Sequence, residues 1–177
     1  MLLDLIDRKK ARRVLAFAIL LLLSLLAQNA VFSRISLWGV KTLFLPAVCV
    51  AVGMFQGSVG GAVFGLFMGI FGDMSFAENT VMFTVLFPLI GFFSGFAADF
   101  FLNRRFFAFM TASLAALLLT GICQAATCAI IHGGALGPLM KTAGLQTLWS
   151  LPPAAVFYPI VRKMSARLGE DISRKES

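Results

Sequence analysis

The sequence predicts an all-α, polytopic membrane protein, a six-transmembrane-helix bundle forming a single domain over residues 1–177. Three observations lead there. Hydrophobic residues make up 59% of the chain and charged ones 13%, with a mean hydropathy of +0.92; a soluble domain carries about a quarter of its residues as charges. Apolar runs recur along the whole chain, and six spans of roughly 20 residues each leave only short connections and two tails. Basic residues gather at the ends of those runs instead of forming a stripe among exposed aromatics, which argues against nucleic acid and for a membrane surface.

The first span is expected at 14–32. It follows Arg8, Lys9, Lys10, Arg12 and Arg13 and reaches Gln28 and Asn29 near its end. A basic start before an apolar core also has the layout of a signal peptide, but Gln28 would occupy the −3 position of a cut before Ala30, a poor cleavage zone. The helix is therefore expected to be retained. The second span is placed at 37–55, with a kink at Pro46 that neighbouring helices tolerate. Gln56, Gly57 and Ser58 make a tight hairpin into the third span, 59–74. The fourth, 81–102, carries Pro88, and Asn103, Arg104 and Arg105 interrupt the apolar sequence after it. The fifth covers 107–131. A glycine-rich connection from His132 to Gly144 is the longest loop. The sixth span, 145–161, holds Pro152, Pro153 and Pro159, and a charged tail follows as an interfacial helix.

Basic residues orient this arrangement. Five at the N-terminus, two at Arg104 and Arg105 and five in the tail fall on one side, against Arg34, Lys41 and Lys141 on the other. Under the positive-inside rule both termini belong in the cytoplasm. The net charge of +7 then faces anionic lipids of the inner leaflet.

The sharpest local pattern lies in the third span. Gly57, Gly61, Gly65 and Gly69 recur every fourth residue and share one helix face; Gly91 and Gly95 make a shorter version in the fourth span. Glycine lets helix backbones approach closely, so van der Waals contact supplies the attraction that lipid cannot. Such a stripe serves as a packing seam inside the bundle or as a docking seam for a partner, and the needs of a compact bundle favour the first. Asp73 and Asp99 are the acids nearest hydrocarbon depth. Both read as interfacial charges reaching for water, Asp99 beside Arg104 and Arg105, and Asp73 alternatively as an ion-pair partner of Lys41 or Lys141.

No catalytic set emerges. His132 stands alone in its loop, and Ser24, Ser94 and Ser113 sit mid-helix, where hydroxyls bond back to the backbone. No Walker, HExxH or GxSxG sequence is present. Cys49, Cys123 and Cys128 lie in apolar runs without metal or redox spacing. A non-enzymatic protein without cofactor or metal is expected.

In order along the chain, a basic start with an apolar helix ending in Gln28, "LWGVK" (Leu37 to Lys41), the ladder "GSVGGAVFGLFMGIFGD" (Gly57 to Asp73), "PLIGFFSGF" (Pro88 to Phe96) and "PPAAVFYPIVRK" (Pro152 to Lys163) together resemble the MreD family of bacterial rod shape-determining membrane proteins. One departure stands out: the family commonly has Pro-Asp where this chain has Thr42 and Leu43, so no role is carried over to an acid there. The resemblance implies a scaffold of the cell-elongation machinery, partnered by a bitopic MreC-like protein and, through it, by MreB filaments and cell-wall synthases. The family also resembles, in fold, the vitamin-binding S-components of energy-coupling-factor transporters, which makes a substrate-binding subunit the alternative. Its external candidates would be Trp38, Asp73, Glu78, Asn79, His132 and Lys141, with the 132–144 loop as a lid.

Overall fold

The computed structural model describes residues 2–32, 42–75, 81–100, 106–132 and 136–173, and among them all regular secondary structure is helical. Helix α1 (Leu2–Leu26) runs into a π-helical stretch at Ala27–Phe32. It is followed by α2 (Leu45–Ser75), α3 (Met82–Phe100), α4 (Phe106–His132) and α5 (Leu136–Ser173). Arg34, Trp38, Lys41, Glu78, Asn79, Arg104 and Arg105, all singled out above, lie outside the described residues.

Among the described residues, three helices are long and apolar enough to cross a membrane: Leu45–Ser75, Met82–Asp99 and Phe106–Ile130. This is fewer than the six spans expected, and each shortfall has its own cause. The apolar stretch Val14–Ala30, which runs from α1 into the π-helical residues after it, is short. The predicted span 59–74 and residues 45–55 of the span predicted at 37–55 fall within one helix, α2, which is broken in its middle, while 37–41 lie outside the described residues. The predicted span 145–161 sits inside a 38-residue helix, whose three prolines, Gln146, Ser150 and charged C-terminal turns dilute its apolar character.

The break in α2 is Gly57, at φ 82° and ψ 175°. That backbone region is accessible essentially to glycine alone. The chain reverses there: a methyl group built on Gly61 would lie 2.6 Å from the Cα of Gly53, although eight residues of straight helix span about 12 Å. The first arm, 45–56, forms the centre of the molecule, with Leu45 to Met54 all buried. The second arm, 58–75, packs beside it along α3.

Two boundaries differ from expectation for local reasons. Pro46 makes no mid-span kink, because the helix begins only at Leu45 and proline is well placed in a first turn. Thr42 to Phe44 enter it as non-helical chain, buried throughout. The long loop expected from His132 to Gly144 contracts as well, since 136–144 belong to α5. Pro138 falls in that helix's first turn, where a missing N–H removes no hydrogen bond.

The outer surface is apolar and the interior partly polar. Val14, Leu22, Leu23, Val59, Phe67, Phe93 and Leu118 are exposed, while Ser24, Gln28, Ser94, Ser113, Thr120, Thr147 and Ser150 are buried. Water would impose the reverse sorting.

Candidate functional site

The glycine ladder lies against α3. Extra methyl groups would meet backbone at its three helical rungs: at Gly61 the carbonyl carbon of Gly91 at 2.9 Å, at Gly65 that of Phe87 at 2.6 Å, and at Gly69 that of Phe83 at 2.7 Å, whereas Gly57 is the non-helical turn itself. Residue numbers on α3 fall by four as those on α2 rise by four, so the helices run antiparallel. The seam closes at its far end, where a methyl on Gly95 would lie 2.6 Å from the Cα of Ser58. Both sequence stripes, Gly57/Gly61/Gly65/Gly69 and Gly91/Gly95, therefore face each other inside one chain. Gly53, which the four-residue pattern did not single out, joins them: a methyl there would lie 3.2 Å from the Gly95 amide nitrogen and closer still to the Ser94 hydroxyl and the Gly91 carbonyl. One helix, α3, is thus gripped by both arms of α2.

At the end of the second arm, Asp73 caps α3. Its carboxylate accepts the N–H groups of Phe83 at 3.0 Å and Thr84 at 2.8 Å, and the Thr84 hydroxyl at 2.6 Å. These are the second and third residues of α3, the donors an N-cap side chain ordinarily satisfies, and a carboxylate there also complements the helix dipole. The local sequence offers Val81 at the cap position, which has no acceptor, so the acceptor comes from the preceding helix. Lys141, the alternative ion-pair partner, is exposed on α5. Asp99 is exposed near the opposite end of α3, its carboxylate 3.9 Å from where a methyl on Gly57 would sit.

A second polar centre ties α1, α2 and α5 together. The Gln28 amide, within the π-helical stretch, donates to the Thr42 carbonyl and accepts the Phe44 N–H at 3.2 Å. The Leu43 N–H donates to the Ser150 hydroxyl at 2.9 Å, which donates in turn to the Gln146 carbonyl. Phe44 O then accepts from Ala47 and Val48, starting the helix. Non-helical backbone in an apolar interior must find such partners. The Thr42 hydroxyl, buried in this knot, has none among the described residues, and neither does that of Ser113. Ser24 and Ser94 bond back to the carbonyls of Leu21 and Gly91, as mid-helix serines do.

An aromatic cluster closes the other end of the bundle. Tyr158 lies 5.7 Å from Phe55, 5.4 Å from Phe106 and 4.9 Å from Phe109 between ring centroids. Nearby, Gln56 donates to the Ser165 hydroxyl at 3.1 Å. Cys49 is fully buried, Cys123 and Cys128 partly so, and all three are unbridged. No metal-holding group of His, Cys, Asp or Glu occurs among the described residues.

Gln28, Thr42, Ser150, Gly53 and Thr84 are the residues that sequence reasoning missed. An amide inside an apolar run was the available signal for Gln28, since such a group needs a partner at depth. These features define a helical membrane protein whose polar side chains join helix to helix. No protein-family model matches the chain, and no match is found among curated proteins or solved structures.

Proposed function

We propose that this chain is a six-span scaffold of a bacterial inner membrane, with both termini in the cytoplasm and an MreD-like part in cell elongation. The observation that carries the scaffold reading is the use made of the polar groups. Gln28, Asp73, Ser150 and Gln56 bond across elements, which fixes helices in place, and the glycine seam serves the same end. Docking would then fall to the outer faces, by an MreC-like bitopic protein that links the chain to MreB filaments and cell-wall synthases. The family assignment itself rests on the ordered sequence resemblance.

Six crossings are supported by the reversal at Gly57 and by lengths. Twelve helical residues in 45–56 cover about 18 Å, and the three non-helical residues before them add at most about 10 Å, close to the hydrocarbon thickness of about 30 Å. Reporter fusions test the topology. A cytoplasmic fluorescent fusion at Ser177 is expected to glow, and an enzyme active only outside the cytoplasm is expected to work after Glu78. The reverse pair of results would overturn the orientation. Depletion tests the function: rod-shaped cells are expected to round up and widen. Cells that keep their shape while uptake of a vitamin collapses would replace this reading with that of an S-component-like binding subunit.

A further inference from the structure

The fold carries basic residues from both ends of the chain to one end of the bundle. On α1, Phe17 packs against Phe64 with centroids 6.2 Å apart, and Ser24 reaches Met68 further along. The two helices therefore run parallel, and Arg12 lies level with the start of the second arm, near the turn at Gly57. Gln56, on the other side of that turn, bonds Ser165, so Arg162, Lys163 and Arg167 on α5 occupy the same end. All four side chains are exposed.

They begin where the apolar surface stops. Val14 is 68% exposed, Phe107 82% and Ile160 47%, each within one or two residues of a cation or at the neighbouring helix start. Beyond that edge both terminal helices sort charge in the same order. Moving outward along the sequence, α1 runs through Arg13, Arg12, Lys10, Lys9 and Arg8 before Asp7 and Asp4, and α5 through Arg162, Lys163 and Arg167 before Glu170 and Asp171. Glu170 is eight residues past Arg162, roughly 12 Å along a helix. That exceeds the screening length of about 8 Å at physiological salt, whereas Arg167, three residues before Glu170, is about 4.5 Å from it along the axis and is partly offset by it.

We propose that this end of the bundle binds anionic phospholipid headgroups, with Arg162 and Lys163 as the main contacts and Arg167 and Arg12 beside them. The inference rests on the membrane reading above. Phosphates of a bilayer form a thin negative layer directly over the hydrocarbon, so cations are favourable at that depth and acids only beyond it. An acidic protein partner gives no reason for sorting by depth on two separate helices.

The test uses the full chain in nanodiscs of phosphatidylcholine mixed with phosphatidylglycerol, with bound lipid counted by native mass spectrometry. Several-fold enrichment of phosphatidylglycerol around the protein is expected, falling to near parity when Arg162→Gln, Lys163→Gln and Arg167→Gln are combined, and falling in 0.5 M NaCl for the unaltered chain. Lys141→Gln, at the other end, is expected to retain it. Equal affinity for both lipids, or enrichment indifferent to salt and to the three substitutions, overturns the proposal while leaving the membrane reading intact. Failure to enter bilayers of either composition overturns both. Inorganic phosphate that protects the detergent-solubilised protein from heat as well as phosphatidylglycerol does would show a free-anion site instead. Enrichment that disappears only when an acidic protein is removed from the preparation would assign the patch to that protein.

Discussion

Two joints hold this bundle, and they work by opposite means. Between α2 and α3 side chains are withdrawn: Gly61, Gly65 and Gly69 let backbone touch backbone, and attraction comes from many weak contacts at short range. Between α1, α2 and α5 side chains are supplied: Gln28 and Ser150 bond the three non-helical residues that lead into α2. The first joint tolerates no added volume, and the second no lost acceptor or donor. Both answer the same constraint. In an apolar solvent helices gain little by hiding apolar surface, so close packing and interhelical hydrogen bonds must hold them.

The largest expected effect breaks the first joint. Gly65→Leu drives a side chain into the backbone of Phe87 and Pro88, atoms that cannot swing aside, and is expected to destabilise by more than about 3 kcal/mol. Size-exclusion of the solubilised protein should show loss of the monodisperse peak. Cys49, fully buried in the first arm, one turn before Gly53, should become reactive to a membrane-permeant maleimide, read by peptide mapping. An unchanged peak with Cys49 still protected would mean that the stripe faces lipid.

Next comes the turn that allows both arms of α2 to hold α3. Gly57→Ala must keep a backbone conformation suited to glycine, at an expected cost of about 1–3 kcal/mol. Thermal unfolding measures it, and an unaltered midpoint would place the reversal elsewhere. In the second joint, Gln28→Leu keeps the size of the side chain but leaves Thr42 O and Phe44 N without it. A loss of about 1–2 kcal/mol is expected, with no loss of the monodisperse peak. A collapse as complete as that of Gly65→Leu would erase the contrast between the joints. The smallest effect is expected at Asp73→Ala, about 1 kcal/mol for a lost cap. Asp73→Asn should recover part of it, since an amide oxygen still accepts one N–H. If Asn is no better than Ala, the carboxylate acts by charge and not as a cap.

Legibility followed the range of the interaction. The ladder could be read because four-residue spacing is a property of a single helix, and the turn at Gln56 to Ser58 because glycine and polar residues interrupt an apolar run. Span boundaries were read less well. Pro46 looks like a kink until the non-helical Thr42 to Phe44 are seen to be capped by Gln28, fourteen residues away in sequence for its bond to Thr42. The His132 to Gly144 segment looks like a loop because of its glycines, yet Leu139, Met140 and Ala143 keep a helical spacing that α5 uses. Asp73 looks like a surface charge because the N–H groups it caps belong to another helix.

The sequence by itself determined that the chain is helical, apolar on its outside, and equipped with one helix face that carries no side chains. Those traits follow from composition and from a period of 3.6 residues, and neither depends on a distant partner. Only the tertiary structure decided that the bare face meets α3, that Gly53 joins it, and that Gln28, Asp73 and Ser150 complete neighbouring backbone. A hydrogen bond or a backbone contact across helices is made by two residues whose separation along the chain carries no signal, so folding alone brings them into register.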